Sequence, residues 1–179
     1  VNTFFICALP RSRTAWLANF LSYSACHCFH EPFNECGVED LPFLFRATGK
    51  QYVGTSDSLN TLLLDRLLKI FPIAKLVLVR RPAVEVVHSL DALGWHCPEL
   101  IERMNQALDQ IEEKHNPLVV NYHNFDAPGI WNFLMPEVPL NKDRTEMLET
   151  FNITVPKEVI LRKAKEFVAK HEGLKLWES

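Results

Sequence analysis

The residues with the clearest chemical potential stand together near the start of the chain, as Arg11, Ser12, Arg13 and Thr14. Guanidinium groups beside hydroxyls form an anion-binding set, because arginine presents a rigid fork of donors that matches oxyanions. The set follows an apolar run, Phe4 to Leu9, and precedes a segment in which Trp16, Leu17, Phe20 and Leu21 fall on one helical face. Strand, tight loop and helix is the arrangement that aims free backbone N–H groups and a positive helix end at an anion. Basic residues at that end are unfavourable unless an anion is bound. The loop therefore reads as a holder of phosphate or sulfate. Two more polar groups stand where apolar runs end. His30-Glu31 brings a carboxylate suited to proton transfer. Arg80-Arg81 brings a second cationic pair, with His88 and Ser89 two helical turns further on.

The elements that must position these groups follow from periodicity. Cys26 to His30 is a second strand, stopped by Pro32. Phe33 to Lys50 holds a short helix around Leu41, Phe43, Leu44 and Phe45, and Gln51 to Thr55 is a third strand. Ser56-Asp57-Ser58 reads as the N-cap of an amphipathic helix through Leu59, Leu62, Leu63, Leu67 and Leu68, ending near Pro72. Ala74 to Val79 is apolar on both faces, as in a covered parallel sheet. Pro82 suits a first helical position, and that helix runs to Leu93. Leu100, Ile101, Met104, Ala107, Leu108 and Ile111 make a helical stripe. Leu118 to Tyr122 is a fifth strand, Pro128 to Leu134 a short helix and Met135 to Asp143 a loop. Thr145 to Phe151 is helical, and Pro156 opens a last helix through Val168. The alternation implies an α/β fold: a single three-layer domain over residues 1–179, with a central, mainly parallel sheet of about five strands flanked by helices. In such a sheet, ligands gather at the carboxyl ends of the strands, where all three polar groups stand.

Composition narrows the partners. A net charge of −3 exerts no global pull toward nucleic acid or anionic lipid, so the arginines must act locally. No apolar run reaches the length of a membrane span, and the first strand begins without a leader. The cysteines, Cys7, Cys26, Cys28, Cys36 and Cys97, are odd in number, which points to reduced thiols and a cytoplasmic setting. Cys26, Cys28 and Cys36 with His27 and His30 match no standard zinc spacing, and no metal is expected.

Pro10-Arg11-Ser12-Arg13-Thr14-Ala15-Trp16 resembles the first motif of the sulfotransferases that use 3′-phosphoadenosine 5′-phosphosulfate (PAPS). That motif is a strand, then proline, lysine or arginine, serine, glycine, threonine, any residue, and tryptophan or leucine. The family's second motif, a strand followed by arginine, asparagine or aspartate, proline and a downstream serine, is similar to Leu76 to Leu90. Arg80 takes the place of its arginine; His88 falls at the serine position and Ser89 one beyond it. His30-Glu31-Pro32 resembles the segment that carries the catalytic glutamate in tyrosyl-protein and many bacterial members. Val120 to Phe125, with Tyr122, looks like the family's fifth-strand segment, and Phe133-Leu134-Met135 echoes its sequel. The likeness runs from Thr3 to about Leu134 and departs in two places, Arg13 for the loop glycine and His88 for the serine.

The resemblance implies a P-loop-like sulfotransferase fold and transfer of a sulfuryl group from PAPS to a hydroxyl or amine, with no metal. It implies Glu31 as base and Arg11 as the group that stabilises the leaving phosphate. Ser12, Arg13, Thr14, Ala15 and Trp16 would form the 5′ cradle; Arg80 with Ser89 or His88 would hold the 3′-phosphate, and Tyr122 would touch the nucleotide. Trp16 also reads as core, sharing a face with Leu17 and Phe20. The expected partners are PAPS, its product PAP and an acceptor that the sequence does not name. Three rivals stand beside this reading. Cys7, Arg13 and Thr14 fit the spacing of a cysteine-dependent phosphatase. A nucleotide kinase would need loop glycines and a lysine that are missing here. A nucleotide-binding relative could keep the fold without turnover.

Overall fold

Alternation along the first strand divides the core in two. In β1 (Asn2–Ala8), Phe4, Ile6 and Ala8 enter one apolar cluster, while Phe5 and Cys7, with Leu9 just beyond, enter another. A strand buried on both faces must lie inside a sheet covered on both sides. The computed structural model, which describes residues 1–150, has that form. β1 lies at the centre of a parallel sheet with β2 (Cys26–His30), β3 (Tyr52–Ser56), β4 (Lys75–Arg80) and β5 (Leu118–Asn121), in the order β2-β3-β1-β4-β5. One cluster is closed by α1 (Thr14–Leu21), α6 (Ala127–Leu134) and Leu148 of α7 (Lys142–Thr150). The other is closed by α2 (Leu41–Ala47), α3 (Asn60–Ile70), α4 (Ala83–Asp91) and α5 (Pro98–His115). The expected three-layer α/β architecture is present, and each expected strand is present within one or two residues.

The helices form for local reasons. In α5, Ile101, Met104, Leu108 and Ile111 recur at helical spacing and are all buried, and Asn116 ends the helix in the left-handed conformation that favours asparagine. α6 begins where the Asp126 side chain accepts the Gly129 N–H at 2.8 Å. Pro82 is the cap of α4 rather than its first helical residue. The expected helix at Thr145 starts earlier, at Lys142. The expected helix from Pro156 lies outside the described residues.

Ser56-Asp57-Ser58 departs most from expectation. It does not cap α3, which starts at Asn60 with no side-chain cap. Ser56 Oγ instead donates to the Thr14 carbonyl at 2.9 Å, and the Asp57 carboxylate accepts the Leu59 N–H at 2.8 Å. The first residues of α3 turn inward. Asn60 Nδ2 donates to the carbonyls of Ile6 (2.8 Å) and Thr55 (3.2 Å), and its Oδ1 accepts the Thr55 hydroxyl at 2.9 Å. Thr61 donates to the Ala8 carbonyl at 3.2 Å. Seven of the eight buried polar residues described, Ser12, Thr14, Thr55, Ser56, Asp57, Asn60 and Thr61, sit where β1 and β3 end. Buried polar groups are costly unless paired, so this density sets the edge apart from the apolar interior. Replacing Asn60 with alanine leaves several of these buried groups without partners. We expect Asn60→Ala to cost about 2–3 kcal/mol in urea unfolding; a loss below about 0.5 kcal/mol would mean the clamp contributes nothing.

Candidate functional site

The loop after β1 carries the unusual backbone. Arg11 (φ 63°) and Arg13 (φ 64°) both adopt the left-handed conformation. For a residue with a Cβ this costs about 1–2 kcal/mol. Arg13 therefore takes up the conformation that glycine would adopt without strain, and the loop keeps its turn at an energetic cost. Arg13 is also the N-cap of α1, and no side chain caps that helix. The first N–H groups of α1 therefore have no capping acceptor, as in an anion site at a helix start. Ser12 is buried inside the turn, with its hydroxyl directed to the Pro10 carbonyl at 3.5 Å. Arg11 and Arg13 are exposed.

Neighbouring strand ends converge on this loop. β4 pairs with β1, and Arg11 Nε donates to Ser89 Oγ on α4 at 3.4 Å. β2 reaches it from the other side. His30 Nε2 lies 3.4 Å from Thr14 Oγ1 and 3.6 Å from a Glu31 carboxylate oxygen. Glu31 is itself left-handed (φ 49°), and its other oxygen accepts from Asn34 Nδ2 at 3.2 Å. Tyr122, just past β5, lies under two guanidinium groups, Arg81 at 4.4 Å and Arg13 at 5.2 Å from the ring centre. Phe125 supports Arg13 at 5.1 Å. The polar residues singled out at the ends of β1, β2, β4 and β5 thus meet along one edge of the sheet.

The two arginines at the end of β4 part company. Arg80 forms ion pairs with Asp109 at 2.9 Å and Glu112 at 2.5 Å, both on α5. Arg81 turns to the loop and donates to the Arg11 carbonyl at 2.5 Å. It is steadied by Glu85 at 3.4 Å, whose other oxygen lies 2.9 Å from His123 Nε2. His123, followed by Arg81, holds the Glu85 carboxyl below its ordinary range. Of the two residues at the serine position, Ser89 faces the loop, whereas His88 is exposed. Ala15 lies in the first turn of α1. Trp16 stacks on Phe20 at 5.0 Å and donates to the Leu148 carbonyl at 3.0 Å, so it fastens α7 to α1. By sequence alone Arg81 is only half of a cationic pair and Asp57 only part of a helix cap, and Glu85, His123 and Phe125 carry no role. A signal existed for Arg81: successive residues at a strand end point to opposite faces, so only one of two adjacent arginines can turn toward a given helix layer.

Cys7 is fully buried in β1, and burial, then the nearby Asp57 charge, pushes its thiol up to about 12. A nucleophilic cysteine requires an accessible thiolate, so the phosphatase spacing is a coincidence of a strand residue with the loop. Among the described residues no group of histidines, cysteines and carboxylates could hold a metal ion. No helix among them is long and apolar enough to cross a membrane.

No protein-family model and no curated protein sequence matches the chain. Among solved structures, a sulfotransferase from Alicyclobacillus acidocaldarius superposes with a TM-score of 0.52, at 16% identity over 97% of this chain and 95% of that one. A gluconokinase from Sinorhizobium meliloti aligns at 11% identity over 99% of this chain and 98% of that one, with a TM-score of 0.42. The chain shares the α/β fold of the sulfotransferase structure, with five parallel strands and helices on both faces. Burial predicts the thiol chemistry. Cys7, Cys26 and Cys28 should resist a thiol reagent at pH 8 until the protein is unfolded, because burial raises all three. Rapid native labelling of Cys7, located by peptide mapping, would restore the phosphatase reading.

Proposed function

We propose that the protein is a sulfotransferase that moves the sulfuryl group of PAPS to a hydroxyl or amine acceptor. The observation that carries the reading is the Pro10–Thr14 loop. It is left-handed at two arginines, runs into an uncapped helix and is bonded across to Ser89 on the neighbouring strand's helix. A turn of this kind supplies N–H groups and cations to one phosphate, while the β4–α4 turn beside it supplies a second anion contact. Two adjacent anion cradles suit a nucleotide phosphorylated at both ends of its ribose. The motif resemblance and the shared fold support the same reading.

In this mechanism the acceptor oxygen or nitrogen attacks sulfur in line with the bridging oxygen. A bond to sulfur forms as the bridging S–O bond breaks, and its electron pair leaves on the phosphate of PAP. Glu31 takes the acceptor proton. Arg11 stabilises charge on the bridging oxygen, and Ser12, Thr14 and the loop N–H groups hold the 5′-phosphate. Preorganisation does most of the work, as in phosphoryl transfer. Arg80 with Ser89 or His88 holds the 3′-phosphate; Arg80 must then exchange Asp109 and Glu112 for the ligand, a substitution of one oxyanion for another. Arg81 keeps the Arg11 peptide in its turn. The acceptor pocket is assigned to residues 33–50, after β2, and 135–144, after α6.

Calorimetry should show 3′,5′-adenosine bisphosphate binding more tightly than ATP, and Arg80→Ala should weaken it about tenfold or more. Equal affinity for the two nucleotides would end the PAPS assignment. Glu31→Gln should leave bisphosphate affinity within about twofold while labelled sulfate transfer drops at least about 100-fold. Normal transfer by that variant would remove Glu31 from the mechanism.

A further inference from the structure

Among the described residues, Asp57 is the one buried carboxylic acid. It is 2% exposed at the carboxyl end of β3, and one oxygen, Oδ2, is buried with no hydrogen-bond partner. A buried carboxyl left half-satisfied is costly and calls for an explanation. Its place in the sheet supplies one. The β2–β3 ladder ends at the pair His30 and Ser56, so the next residues, Glu31 and Asp57, leave adjacent strands side by side. The Glu31 N–H reaches the Ser56 carbonyl at 3.5 Å, and Asn34 N–H closes the following turn on the Glu31 carbonyl at 3.2 Å. The Phe33 N–H in that turn favours the ionised form of Asp57, as does the Leu59 N–H, which donates to it at 2.8 Å.

We propose that Asp57 is a positioning residue for the Glu31 base, buried beside the left-handed turn that carries it. The inference rests on the reading of Glu31 as base. The titratable groups that face Asp57 are Glu31 after β2 and Cys7 on β1. Burial raises the Asp57 carboxyl to about 7, against the backbone N–H groups and with the Glu31 charge adding to the rise. Below neutrality it is therefore chiefly a neutral acid, and the turn that carries Glu31 has an uncharged neighbour. Above neutrality a second negative charge develops beside that turn and close to the anion loop.

The sign of the pH effect follows. Asp57 binds its proton more tightly folded than unfolded, so its contribution to stability is present at low pH and is lost as pH rises from about 4 through about 7. Asp57→Asn keeps the acceptor for Leu59 and removes the titration. The experiment compares wild type, Asp57→Asn and Asp57→Ala in thermal unfolding, bisphosphate calorimetry and sulfate transfer from pH 5 to 9, with a carbon-13 carboxyl titration of the wild type. Asp57→Asn should flatten the decline of stability with pH. Its bisphosphate affinity should fall less steeply above pH 7, by a factor on the order of ten. It should also retain transfer with an extended alkaline limb, whereas Asp57→Ala should lose kcat with little change in acceptor KM. An Asp57 carboxyl that titrates near 4 in wild type overturns the inference, and so do Asn and wild-type profiles that coincide. Loss of transfer in Asp57→Asn with normal transfer in Glu31→Gln would make Asp57 the base and overturn both assignments. If no transfer is found, stability and the carboxyl titration still judge Asp57 on their own.

Discussion

The hydrogen bond from Arg81 to the Arg11 carbonyl joins two strand ends that are far apart in sequence, and the site depends on it. A loop with two left-handed arginines is strained, and strain of that kind persists only where the surroundings over-determine it. Here the Arg11 peptide is held from β4 by Arg81, its side chain by Ser89, and the loop's exit by the Ser56 hydroxyl on Thr14. The loop conformation is thus a property of three strands in parallel register, not of its own residues.

That register also explains where polarity is buried. A parallel sheet places every carboxyl end at one edge, and the strand order puts β3 and β4 on either side of β1. Ser56, Asn60 and Thr61 side chains donate to backbone carbonyls at this edge, as buried backbone groups require, and the Thr55 hydroxyl donates to Asn60 Oδ1. The opposite parts of the sheet are apolar, with Phe4, Phe5, Val53 and Val77 almost fully covered. The same network that satisfies the backbone leaves a rigid floor under the anion loop. If the loop acts as proposed, that rigidity matters, because catalysis by positioning tolerates little displacement.

Charge is arranged in tiers around the loop. Arg11 and Arg13 are exposed and face solvent, Arg81 is shared between Glu85 and the Tyr122 ring, and Arg80 is held by α5. Asp109, Glu112 and Glu85 are thus taken up by Arg80 and Arg81, and no described carboxylate pairs with Arg11 or Arg13. This arrangement keeps the guanidinium groups oriented without cancelling the field at the helix start, where the dipole already favours an anion. Tyr122 and Phe125 hold the Arg13 guanidinium over their rings by cation–π attraction.

Much of this was legible in the residues alone. The doubly apolar run of β4, the alternation of strands and helices, and the cations at strand ends follow from periodicity and from the cost of bare charge at a helix start, which are local matters. Arg11 and Glu31 stand out by their charge at strand ends, whereas Ser89 and Tyr122 take their site roles only from the motif resemblance. The division of labour between Arg80 and Arg81 was not legible, since adjacent residues differ only in the face they present and α5 had to be placed before Asp109 and Glu112 could claim one of them. Ser56 and Asp57 looked like a helix cap for the same reason: the sequence holds their propensity, while burial between β1 and β2 is decided by packing across the sheet. By itself the sequence determined the elements and the chemistry available at their ends. Only the tertiary structure decided which of those groups meet, because parallel pairing brings together residues whose separation along the chain carries no local signal.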